Sequence, residues 1–167
     1  MGLNLGAKFK GFDFTAFFFW NQGNELFNYT KYYTDMRVFV GGVSKRLLND
    51  TWTTSNMNAK LPQLQPTAGG DGFTGFVTGN SNSYYVEDGS YLKIKNLSLG
   101  YTLPQPLVNR FKLQNLRIYV TGQNLVTFTK FTGLDPEFSN DVKNNGLYGF
   151  DTYPQTKYYS VGLDLKF

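Results

Sequence analysis

The residue types most able to do chemistry in this chain are carboxylates and aromatic rings. Asp135, Glu137 and Asp141 share one short stretch, and Glu87-Asp88 forms a second acidic pair far away in sequence. Two carboxylates held at a suitable separation would supply the acid and the base or nucleophile of glycoside hydrolysis. Nothing in the spacing sets such a separation, and acidic residues in polar stretches are usually solvated, so no catalytic residue is assigned. Residues 135–141 also fall short of a calcium loop, which needs Gly at its sixth position and Glu at its twelfth. The chain contains no His and no Cys. That removes the commonest general base, thiol nucleophiles, disulfides and cysteine metal sites, and no metal or cofactor is expected. The Gly-rich run Ala68–Gly75 lacks Gly-Lys-Ser/Thr and follows no clear strand, so it reads as a flexible segment rather than a phosphate cradle.

The aromatics point toward binding. Trp52, Tyr84, Tyr85 and Tyr148 lie in two long polar stretches, and rings of this kind stack on the apolar faces of sugars. They are the candidate ligand contacts. The competing reading, better for any single one of them, is that they pack these stretches together or sit at a membrane interface. Leu26, Tyr29, Tyr32, Tyr33 and Met36 fall roughly on one face of an expected helix over residues 25–36.

These side chains must be positioned by the elements between them, and those elements alternate with period two, the pattern of a strand with two unlike faces. Strands are expected near residues 2–10, 12–21, 90–102, 115–128 and 158–167. In the last, Tyr159, Val161, Leu163, Leu165 and Phe167 oppose Ser160, Gly162, Asp164 and Lys166. In the third the apolar set changes phase, from Leu92 and Ile94 to Leu97, Leu99 and Tyr101; one extra residue near Lys95-Asn96 would restore a single face, as a β-bulge does. Gly11 marks a tight turn, and Pro104 and Pro106 stop the third strand before one short helical turn over residues 107–111.

Short and long connections alternate. The turn at Gly11 and the connection over residues 103–114 belong to one end, and the long stretches 22–88 and 129–157 to the other. Short turns at one end and long loops at the other are the asymmetry of outer-membrane barrels. Each strand approaches the roughly 9–11 residues that a tilted strand needs to cross a bilayer, while no apolar run nears the roughly 18 residues of a transmembrane helix. The mean hydropathy of −0.35 suits a membrane protein only if half of each strand faces a polar lumen. The net charge of +4 is spread along the chain, so nucleic acid is not an expected partner. No leader is legible at the N-terminus, so the chain is expected to be a piece of a longer exported protein. Ser160, Gly162, Leu165 and Phe167 match the polar, Gly, apolar and aromatic positions of a strand that barrel assembly machinery reads, an edge that must pair transiently before its barrel closes.

The second half of the chain carries a resemblance. The segments over residues 86–104 (VEDGSYLKIKNLSLGYTLP), 116–125 (LRIYVTGQNL) and 133–137 (GLDPE), with Tyr153-Pro154-Gln155 and Asn21-Gln22-Gly23-Asn24, are similar in content and order to the C-terminal signature of the SusC/RagA family of TonB-linked outer-membrane proteins. The resemblance implies the last five strands of a 22-stranded barrel in the outer membrane of a Gram-negative bacterium. It also implies a plug and TonB contact lying outside this chain, and a SusD-like lipoprotein partner that helps capture glycans or peptides.

The expected fold class is therefore all-β, an antiparallel transmembrane barrel segment with long extracellular loops, acting in nutrient import rather than as an enzyme. The alternative is a soluble or surface carbohydrate-binding β-sandwich. On the barrel reading Leu163 faces lipid and Asp164 the lumen, so Arg at the first is expected to cost about 2–4 kcal/mol and at the second far less.

Overall fold

The structure, a computed structural model, describes residues 1–36, 44–64, 83–137, 147–148 and 153–167. The chain divides into two units. The first, Met1–Asn24, Gly89–Glu137 and Pro154–Phe167, is a five-stranded antiparallel sheet. Its strands are β1 (Gly2–Phe9), β2 (Phe12–Asn21), β5 (Tyr91–Thr102), β6 (Asn115–Thr129) and β8 (Tyr158–Lys166), in the spatial order β1-β2-β5-β6-β8.

The order follows from the connections. A two-residue turn, Lys10-Gly11, joins β1 to β2 with both residues at positive φ (46° and 89°), the geometry that matches strand twist. Gly11 is needed there twice over: its φ suits no bulky residue, and a Cβ would lie 2.8 Å from the Thr102 carbonyl oxygen. A short helix, Gln105–Val108, and a 3-10 turn, Asn109–Phe111, link β5 to β6 at the same end.

Register sorts the side chains. Leu5 lies opposite Ala16, Ala16 opposite Leu97, Leu99 opposite Val120, and Val120 opposite Val161. One face is therefore apolar across all five strands. The phase change in β5 is absorbed where the alternation places it: the register shifts between Ile94 and Asn96, leaving Lys95 as the extra residue. The opposite face is polar, with Thr15, Ser98, Thr121 and Ser160 forming one hydroxyl row across four strands.

The second unit, Glu25–Asp88 and Phe138–Tyr153, contains a three-stranded sheet of β4 (Val86–Asp88), β3 (Glu25–Asn28) and β7 (Leu147–Tyr148). One expectation is corrected here. Residues 25–28 are a strand, not the start of a helix, and only a π-helical turn over Tyr32–Met36 remains of it. The alternation of buried Leu26 and Asn28 with less buried Glu25 and Phe27 shows why: pairing with Val86–Asp88, distant in sequence, overrides local helical spacing. In this small sheet β3 pairs antiparallel with β4 and parallel with β7. Among the described residues the core of this unit is Leu47, Leu61 and Tyr85, with Phe27 and Tyr84 packed against it.

Candidate functional site

The five-stranded sheet leaves its apolar face open. Val161 is 76% exposed, Leu163 60%, Phe128 57% and Phe12 51%. A sandwich would bury this face against a second sheet. Instead an apolar surface running across all five strands is left facing outward.

The polar face is organised by ions. Near the short connections Arg117 on β6 donates to Asp13 on β2 (Nη2 to Oδ2, 2.6 Å) and to Asp164 on β8 (Nη1 to Oδ2, 2.9 Å). The guanidinium reaches Asp13 by passing over Gly100 of β5, where a Cβ would lie 2.6 Å from Asp13 Oδ1 and 2.7 Å from Arg117 Nε. One glycine thus opens a path for a charge network across four strands.

Toward the other end Lys93 is fully buried and donates to both oxygens of Asp135, at 3.2 and 3.0 Å. The same Asp135 carboxylate accepts the backbone N–H groups of Glu137 (3.0 Å) and Gln155 (3.1 Å). Glu137 sits 2.9 Å from Lys93 and also pairs with Lys95, the bulge residue. Burial alone would raise the Glu137 carboxyl pKa, but the hydrogen bonds and charges of Lys95 and Lys93 outweigh it and hold the group below its ordinary value. That direction is opposite to what a general acid requires. The Asp135-Pro136-Glu137 stretch is therefore a lysine-bound clamp, and Asp141 lies outside the described residues. Glu87, the other acidic candidate, is paired with Lys31 at 2.7 Å.

The segments of the resemblance meet in space. Gly23 N–H donates to Ser90 Oγ (2.9 Å) and Gly89 N–H to the Asn24 carbonyl (2.8 Å), fastening residues 21–24 to the start of β5. Asp135 fastens residues 133–137 to β5 and to Gln155. Sequence reasoning missed Lys93, Lys95 and Arg117 as organising residues; the signal available was that they are the charges of two strands, β5 and β6, whose other polar residues are neutral.

The terminal-strand residues are also placed. Ser160 and Thr121 share a hydrogen bond between their hydroxyls at 2.5 Å. Gly162 lies opposite Tyr119, whose ring covers it so closely that a Cβ would meet Cε1 at 2.7 Å. Leu165 pairs with Leu116 and is 49% exposed, and Phe167 is 81% exposed.

The four candidate ligand aromatics lie in the second unit and differ from one another. Tyr85 is buried in its core, 2% exposed, and offers no free ring face. Tyr84 is half-buried, and its hydroxyl donates to Asp35 Oδ2 at 2.6 Å. Burial, then this bond and the Asp35 charge, push its pKa up. Asp35 is itself fully buried and gripped by Arg46. Trp52 is half-buried, beside the bridge of Thr51 to Leu61. Tyr148 pairs through its backbone with Asn28.

Relatives over the whole chain settle the affiliation. The chain is 35% identical over 173 residues to TonB-dependent receptor P3 of Formosa agariphila, and 28% identical over 172 residues to TonB-dependent receptor SusC of Bacteroides thetaiotaomicron. Both alignments cover 100% of this chain. The chain belongs to the TonB-dependent receptor family. It spans 16% of the length of receptor P3 and 15% of that of SusC. Among solved structures, the RagAB peptide importer in its open-open state superposes with a TM-score of 0.77 and 30% identity, over 99% of this chain and 17% of that one. The same importer in its closed-closed state gives a TM-score of 0.76 and 31% identity, over 99% of this chain and 17% of that one. No family model matches the chain. The receptor affiliation agrees with the sheet's open apolar face, which a soluble module would cover.

Proposed function

We propose that the chain is part of the wall of an outer-membrane importer in a Gram-negative bacterium. Residues 1–167 contribute five neighbouring strands to a 22-stranded barrel, with 22–88 and 129–157 as external loops and the short connections at the periplasmic rim. The apolar face meets lipid and the polar face lines the lumen. The complete receptor draws energy from TonB and works with a SusD-like lipoprotein that helps capture glycans or oligopeptides. The similarity to the RagAB peptide importer favours peptides within that range. Ser160, Gly162, Leu165 and Phe167 serve assembly of the barrel, and Trp52, Tyr84 and Tyr148 border the ligand path, whereas Tyr85 stiffens the loop unit from its core.

The observation that carries this reading is the exposed apolar face spanning all five strands. Among the described residues no helix is long and apolar enough to cross a membrane. The test is made in the intact receptor. Val161→Arg on the apolar face is expected to cost about 2–4 kcal/mol near the membrane midplane, and Gln123→Arg on the polar face close to nothing. Urea unfolding in lipid vesicles, read by heat-modifiable gel migration, measures both. Equal tolerance of the two substitutions would overturn the assignment of faces.

A further inference from the structure

The end of the sheet that carries the short connections is cationic and aromatic at once. The β1–β2 turn places Lys10 there, and the β5–β6 connection places Arg110 and Lys112, all three exposed. The Thr102 N–H donates to the Gly11 carbonyl at 2.8 Å, which ties the turn to the start of that connection, and Gln114 N–H donates to the Lys166 carbonyl at 2.7 Å. Among the described residues none of Lys10, Arg110 and Lys112 forms an ion pair. The acids of this end, Asp13 and Asp164, are both held by Arg117 on the polar face. The rim therefore carries three cationic side chains with no acidic side chain paired to them.

Large rings stand beside that charge. Phe9 is 71% exposed and Phe111 65%, and the Lys10 ammonium lies 5.3 Å from the centroid of the Phe9 ring. The backbone adds an independent sign. Lys10 and Lys112 occupy the left-handed region, at φ 46° and 58°, which turns and helix ends usually assign to Gly or Asn. Both left-handed sites hold lysine at the same rim, where the backbone favours a different residue.

We propose that this rim binds the phosphate head groups of anionic phospholipids. The inference rests on the barrel reading, which puts the rim at the inner boundary of the membrane. A phosphodiester above acyl chains is the partner whose charge and polarity change sign at the depth where cations border exposed rings. The long lysine stem reaches from the ring level to the phosphate plane. A soluble anion would have no use for Phe9 and Phe111, and a zwitterionic lipid no use for unbalanced charge.

The experiment uses the intact receptor in phosphatidylethanolamine vesicles, with or without phosphatidylglycerol. Lipid retained after extraction is counted by native mass spectrometry. The wild type is expected to retain phosphatidylglycerol in preference. The variant Lys10→Asn/Arg110→Gln/Lys112→Asn, whose Asn residues suit the same backbone, is expected to hold it about fivefold more weakly for each cation removed, with heat-modifiable migration unchanged. If the triple variant fails to insert, Lys112→Asn alone is expected to lose about fivefold. Undiminished retention in the variants, or no preference in the wild type, overturns the proposal. Failure of the wild type to insert in either vesicle would overturn the barrel reading and this proposal with it.

Discussion

Replacing Lys93 by Met is expected to release the stretch that ends in Glu137 from the polar face of the sheet. The side chains of Lys93 and Asp135 are 1% and 7% exposed, so water screens their attraction very little. Without the ammonium, Asp135 keeps two backbone donors but loses its countercharge. Stranding one member of a buried ion pair costs about 3–5 kcal/mol. Glu137, 21% exposed and still paired with Lys95, adds at most about 1 kcal/mol. The clamp holds two amides directly, those of Glu137 and Gln155, which makes hydrogen exchange in the intact receptor the natural assay. At a factor of ten for each 1.4 kcal/mol, both amides should exchange about 10²- to 4 × 10³-fold faster in Lys93→Met while those of β6 and β8 are unchanged. Adding Asp135→Asn should recover part of the loss, because the uncompensated charge is then gone. If exchange at Glu137 and Gln155 changes by less than about threefold, the clamp does not hold this stretch and the reasoning is wrong.

Other perturbations test separate parts of the structure. Because the Glu137 carboxyl lies below its ordinary value of 4.5, its contribution is present above that pH and lost as pH falls through the lowered value; the stability difference between wild type and Glu137→Gln should be flat from neutral pH downward and decline only below pH 4.5 in denaturant melts. Gly162→Ala drives a methyl group into the Tyr119 ring and should destabilise the folded receptor by about 1–3 kcal/mol. If the glycine matters through this packing, Tyr119→Ala rescues it in an outer-membrane assembly assay; if the assembly machinery reads the glycine itself, it does not. Tyr85→Ala should lower stability by an amount typical of a buried aromatic, about 3–5 kcal/mol, whereas Trp52→Ala should leave stability nearly unchanged and alter ligand affinity, read by denaturant melts and calorimetry. Asp164→Arg is no longer the benign partner to Leu163→Arg that parity implies, because it sets a second cation against Arg117; unfolding should show a penalty that Asp164→Asn largely avoids.

Much of the sheet was legible in the order of residues. Alternation is a local property, so the apolar face of Tyr159, Val161, Leu163 and Leu165 needs no knowledge of its neighbours. The bulge at Lys95 was legible for the same reason, since a one-residue phase slip must be absorbed if Ile94 and Leu97 are to share a face. The strand at Glu25–Asn28 was not, because its partner Val86–Asp88 is remote and local spacing there mimics a helix. The clamp was not legible either: Lys93 and Asp135 stand 42 positions apart, and Tyr84 and Asp35 stand 49 apart.

The sequence by itself determined which faces exist, because period and phase are written into consecutive residues. It also determined which chemistries are absent, because a chain without His or Cys cannot use them. Only the tertiary structure decided what the charges do. Whether a carboxylate is solvated, catalytic or clamped depends on the donors that folding brings to it, and the donors of Asp135 come from β5, from its own turn and from Gln155.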